Sequence, residues 1–240
     1  FVVAWCPAVN SGVAKLTVTA LRSFCGFLHL EGVLMRSLVP AVPTVTYRHQ
    51  AGLPKGLEPE EVRRILTSCD TASDNGVRDL AILTLLVRLG LRRCEVSRLG
   101  LDDIDWRAGT ICVHGKGNCL ERLPLPVDVG HYLAQYLRHA RPAKARGRTV
   151  FVRHFAPYNA LSECRVSTIV ADAARRAGVG RVHAHRLRHT AATQLLRAGA
   201  SLPEVGQVLR HRRAQTTAIY AKVDRDTLRM IAGPWPEDAQ

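Results

Sequence analysis

The chain has 240 residues, 47% of them hydrophobic, and carries a formal net charge of +14. That length suits one large or two small domains, each with a proper core. The charge points to a polyanionic partner, and the absence of any apolar run of spanning length, or of a lipidation motif, argues against a membrane.

Only five of the 34 basic residues are lysine, as a GC-rich genome would give, but codon bias does not explain 34 basic residues against 20 acidic ones. Between Arg181 and Arg213 there are seven arginines and a single acid, Glu204. Nucleic acid is the expected partner. The seven cysteines are scattered, without a Cys-x-x-Cys pair, which fits reduced cytoplasmic thiols and not a disulfide framework. The apolar opening Phe1-Val2-Val3-Ala4-Trp5 stops at Pro7 without a basic flank, so it does not read as a signal peptide. The chain begins without methionine, and a fragment of a longer protein is expected.

In chain order, a helix is expected over 17–31, with Leu21, Phe24, Cys25 and Leu28 on one face and Gly32 closing it. Residues 33–56 carry Pro40, Pro43, Gly52, Pro54 and Gly56 among Arg48, His49 and Lys55, and read as a basic, extended linker. Glu58-Pro59-Glu60-Glu61 starts a second helix, with proline in the first turn and acids facing the dipole. Residues 77–89 are apolar almost all round, as in a central buried helix that Gly90 ends, and 92–99 form another. Residues 110–114 and 121–125 read as a hairpin joined through Gly115-Lys116-Gly117-Asn118. Then follow a helix over 127–140, a short strand over 148–153, and helices over 167–177 and 185–198. Ser201 and Glu204 form a capping box for a last short helix with Leu202, Val205 and Leu209 apolar. The expected class is mainly α with a small antiparallel β-sheet (α+β).

Chemistry concentrates near the C-terminus. His185 stands three residues before Arg188 and so shares its helix face. The pair offers a proton-exchanging group and a planar cation suited to phosphate oxygens. His211 follows, and Tyr220 nine positions later; tyrosine can act as a covalent nucleophile. A zinc site at His183, His185 and His189 is disfavoured by the missing His-Glu-x-x-His pattern and the cationic surroundings. His189 reads instead as a structural hydrogen-bond partner. Asp102, Asp103 and Asp105 suggest a solvated turn and helix cap before a magnesium cluster. No cofactor and no metal are expected.

Four blocks then occur in order: Gly90-Leu91-Arg92-Arg93-Cys94-Glu95, Gly115-Lys116-Gly117-Asn118, His185-Arg186-Leu187-Arg188-His189, and His211 followed by Tyr220. With them the region 57–231 resembles the catalytic domain of the tyrosine recombinases, the phage integrase family. The resemblance implies a catalytic set of Arg92, Lys116, His185, Arg188, His211 and the nucleophile Tyr220. It also implies residues 1–32 as the end of a core-binding helical domain, 33–56 as a hinge and 57–240 as the catalytic domain, with self-association on DNA as a dimer or tetramer.

In that scheme two arginines clamp the phosphodiester as its oxygens gain charge. His185 is the base for Tyr220, Lys116 the acid for the departing 5′ oxygen, and His211 a phosphate donor or a support for the tyrosine. The family usually has glycine where Arg210 stands, so Arg210 is expected to shift His211 or add a phosphate contact. Competing readings are a non-catalytic DNA-binding remnant, with helix-turn-helix-like patterns over 90–104 and 202–220, and a topoisomerase of the same tyrosine chemistry.

Overall fold

The computed structural model describes residues 11–44, 56–115, 120–211 and 214–220. The chain forms two compact units, Phe1–Ala51 and Gly52–Gln240.

In the first unit, helix α1 (Ser11–Leu30) begins earlier than expected. Gly32, at φ +73°, turns the chain so that Val33 N–H reaches the Leu28 carbonyl; this left-handed geometry favours glycine. Residues 33–44 are not extended. They fold back along α1: Arg22 donates to the Val42 carbonyl at 2.8 Å, and Val42 joins Val18 and Cys25 in a small core. Phe24, expected on the buried face, is exposed.

The second unit is built around α3 (Asp74–Arg88), which buries Ile82, Leu83, Leu85 and Leu86. Before it comes α2 (Pro59–Thr67), whose Glu58 N–H is held by the Glu61 carboxylate at 2.9 Å, as the acidic start implied. After it come α4 (Arg93–Arg98) and strands β1 (Ile104–Asp105), β2 (Thr110–His114) and β3 (Leu120–Pro124). The sheet is antiparallel in the order β1-β2-β3, with Ile111 paired to both Ile104 and Leu123. Ile111 and Val113 are buried and Thr110, Cys112 and His114 less so, the alternation of a sheet covered on one face. At two residues, β1 is too short to show that period, so its segment reads as a turn in sequence.

Helix α5 (Val127–Gln135) runs on into a π turn (Tyr136–Ala140). The expected strand over 148–153 does not form; the described residues there make only isolated bridges, Gly100 to Thr149 and Val152 to Ala160. Arg141 accounts for this. Its guanidinium takes the carbonyls of Gly147, Thr149 and Val150 that a neighbouring strand would otherwise bond. Helix α6 (Glu163–Arg176) starts before the expected 167, because the Ser162 hydroxyl accepts the Arg165 N–H. Helix α7 (Ala184–Arg197) and α8 (Leu202–Val208) follow, then the short α9 (Ala214–Thr217) and a 3₁₀ turn (Ala218–Tyr220).

The main core joins α3 to α5, α6 and the start of α7. A smaller one gathers Ala192, Val205, Leu209 and Tyr220. The fold is therefore mainly helical with one small antiparallel sheet, and the second core ties the C-terminal turn to α7 and α8.

Candidate active site

Arg188 is a cation made to stay inside. It is buried, yet its fork donates to the Gly90 carbonyl at 2.5 Å and to the Leu209 carbonyl. Gly90 ends α3 at φ +56°, and a Cβ there would lie 2.6 Å from Leu209 Cδ2. Glycine is thus required where the α3 terminus meets α7 and α8. Burial pulls the Arg188 pKa down to about 10, with Arg92 and Arg210 adding to the fall, so it remains cationic at neutral pH.

Arg92 caps α4. Its N–H donates to Glu95 at 2.7 Å and its Nη1 to the same carboxylate at 2.6 Å, while Nη2 reaches the Arg210 carbonyl at 3.2 Å. Arg92, His185 and Arg188 line one cleft of about 460 Å³. Each guanidinium is held by protein acceptors through two of its five N–H donors.

Tyr220 lies beside this cleft and not open within it, with 1% of its surface exposed. Its hydroxyl is 2.6 Å from His189 Nδ1. The His211 ring stacks on it at 6.3 Å, and His211 Nδ1 meets Thr217 Oγ1 at 2.9 Å. The His185 ring packs edge-on against His189 at 4.3 Å. Burial raises the Tyr220 pKa to about 12 although Arg188 opposes it. Burial, with the nearby cations, lowers His189 and His211 to about 4 and also lowers His185. All three rings are neutral at pH 7.

Five of the six expected residues, Arg92, His185, Arg188, His211 and Tyr220, are thereby brought together. Lys116 lies outside the described residues. Arg210 corrects the expectation of a phosphate contact: its side chain turns inward to Glu95 at 2.8 Å, with both groups 1% exposed. Its φ of +56° shows why glycine suits this position. Sequence reasoning gave no role of its own to Glu95, the carboxylate that Arg92 and Arg210 share. The available signal was its place three residues after Arg92, one turn along the helix. Thr217 carried no such signal. Of the aspartates, Asp102 pairs with Arg148, while Asp103 accepts the Gly100 N–H and meets His114. No metal-holding cluster occurs among the described residues.

Residues 55–226 match the phage integrase family. The chain belongs to this family. It is 45% identical over 235 residues to integrase/recombinase y4rA of Sinorhizobium fredii, covering 97% of this chain and 57% of that protein. Against tyrosine recombinase XerD of Listeria innocua the identity is 34% over 219 residues, covering 89% of this chain and 72% of the relative. The chain thus spans little more than half of y4rA. Among solved structures, the XerH site-specific recombinase bound to its palindromic difH substrate in a post-cleavage complex matches with a TM-score of 0.80 at 22% identity, over 98% of this chain and 70% of that one. A lambda integrase dimer bound to a COC′ core site matches at 0.70 and 17% identity, over 93% and 77% of the two chains. The integrase-family fold holds across both comparisons. No helix among the described residues is long and apolar enough to cross a membrane.

Proposed function

We propose that this chain is the catalytic part of a site-specific DNA recombinase that cleaves and rejoins strands through a 3′-phosphotyrosyl intermediate, with Arg92, Lys116, His185, Arg188, His211 and Tyr220 as its catalytic set. The observation that carries the reading is the shared cleft of Arg92, His185 and Arg188 with Tyr220 at its flank.

A phosphodiester in the cleft meets two fixed cations, which stabilise the charge that develops on its oxygens as the tyrosine attacks. His211, neutral and stacked on Tyr220, supports the nucleophile and donates to the phosphate. Lys116 protonates the departing 5′ oxygen. Storing the broken bond as a phosphotyrosyl ester allows a second 5′ hydroxyl to reverse the attack, so the exchange needs no metal and no nucleotide. Double-stranded DNA as substrate and self-association on it are supported by the matched structures, among them a lambda integrase tetramer bound to a Holliday junction. A DNA substrate supports a place in the cytoplasm, with the nucleoid.

The test is a nicked trapping duplex incubated with the protein in chelator, followed by denaturing gel analysis. A covalent adduct that Tyr220→Phe abolishes is expected. An adduct that survives Tyr220→Phe, or forms only with magnesium, overturns the assignment. Binding without any adduct favours a DNA-binding remnant; adducts that relax supercoils but never join two sites favour a topoisomerase.

A further inference from the structure

The scheme above leaves His189 without a role, yet its ring is hydrogen-bonded to the nucleophile. Its Nδ1 lies 2.6 Å from Tyr220 Oη. His185, the base implied by the family resemblance, packs its ring against His189, which lies between it and the tyrosine. We propose that His189 is the base that takes the Tyr220 proton during attack on the DNA phosphate, a role that rests on the recombinase reading.

In the step, the Tyr220 O–H proton passes to His189 Nδ1 while the Tyr220 Oη–P bond forms. The P–O5′ bond breaks, and O5′ takes a proton from the general acid. On rejoining, a 5′ hydroxyl gives its proton back to the deprotonated general acid as its oxygen bonds to phosphorus, the P–Oη bond breaks, and Tyr220 Oη recovers its proton from His189. No oxidant, metal or further reactant is consumed.

Three features of the site suit this role. A base must be unprotonated beforehand, and burial, with His185 and Arg188 adding, lowers the His189 pKa to about 4. Against a phenol at about 12 the transfer is uphill before a phosphate is in place, so it must be coupled to formation of the Oη–P bond and to the charge the phosphate brings. His189 shares α7 with His185 and Arg188, so the proton acceptor and the phosphate-clamping groups are fixed on one helix. The groups around His189 are His185 and Arg188 on α7, Tyr220 on the C-terminal turn and His211 after α8. A phosphate anion arriving beside Arg188 offsets the repulsion a protonated His189 would meet.

The probe is an end-labelled pool of nicked duplexes of randomised sequence, with adduct formation followed over time for the whole chain. His189→Gln can still accept the phenol hydrogen bond but cannot hold its proton. It is expected to slow adduct formation by about 10²–10⁴-fold, the usual range for a lost acid or base, with unchanged DNA retention and melting temperature. His189→Gly should regain rate with added imidazole, whereas His189→Gln should not. If His189→Gln forms adduct at the unsubstituted rate, or faster because a latch has been released, the base role is overturned. If His189→Gln fails to fold, imidazole rescue of His189→Gly decides alone, and its absence overturns the proposal. A chain that forms no adduct without substitution overturns the recombinase reading, and this proposal with it.

Discussion

Glu95 and Arg210, 115 positions apart, form an ion pair 2.8 Å long with both side chains 1% exposed. The same carboxylate accepts two bonds from Arg92, so one buried acid fixes α4, the residue before His211 and the cleft-lining Arg92 together. Burial pushes the Glu95 pKa up, but Arg210 and the Arg92 N–H and guanidinium outweigh it and bring it below the usual carboxylate range. Glu95→Gln leaves two guanidiniums without their counter-charge. A loss of about 3–5 kcal/mol is expected, as when one partner of a buried pair is removed. Urea unfolding measures it, and adduct formation should fall with it as Arg92 loses its anchor.

Arg210 is strained as well as paired. Its φ of +56° is costly for any residue with a Cβ, by about 1–2 kcal/mol. Arg210→Ala and Arg210→Gly lose the same ion pair and differ in the backbone. The glycine variant should be more stable than the alanine variant by about 1 kcal/mol in paired denaturant titrations. Equal stabilities would mean that the backbone relaxes out of the left-handed region once the ion pair is gone.

Arg188, which lines the cleft, is tied to the fold through the Gly90 and Leu209 carbonyls. Arg188→Ala should lower adduct formation by about 10²–10³-fold, the effect of losing a preorganised donor. Duplex affinity at fixed salt should change little, because many phosphate contacts share it. Gly90→Ala reaches the same junction from the other side: its Cβ approaches Leu209 Cδ2 at 2.6 Å in a left-handed conformation. It should cost at least about 1–2 kcal/mol and slow cleavage without touching DNA. Gel retardation, single-turnover trapping and urea unfolding separate the three effects.

Much of this site was legible in the sequence because its parts are local. His185 and Arg188 are one helical turn apart, Arg92 follows the glycine that ends α3, and Ser201 with Glu204 announces α8; each pattern has a local physical cause. What was not legible joins distant segments. The Glu95–Arg210 pair and the His189–Tyr220 bond close only when α4, α7 and the C-terminal turn pack. Arg210 illustrates the limit: the departure from glycine was visible, but its inward direction depends on a carboxylate contributed from α4. The unformed strand at 148–153 has the same origin, since Arg141 takes its carbonyls through a contact no periodicity reveals.

The buried histidines make stability depend on pH with a definite sign. His189 and His211 have folded pKa values of about 4 against an ordinary 6.5. A depressed folded value means that the stabilisation is complete above pH 6.5 and is lost as pH falls through about 4, because the unfolded chain binds protons that the folded site refuses. Near pH 5, unfolding should therefore take up close to about two protons from this pair, and Glu95 should extend the decline below the normal carboxylate range. Unfolding free energies measured from pH 7.5 to 4 give the slope directly. The double variant His189→Gln/His211→Gln should flatten it between about pH 6.5 and 4; an undiminished slope would show that other groups carry the acid sensitivity and that these two rings already accept protons in the folded protein.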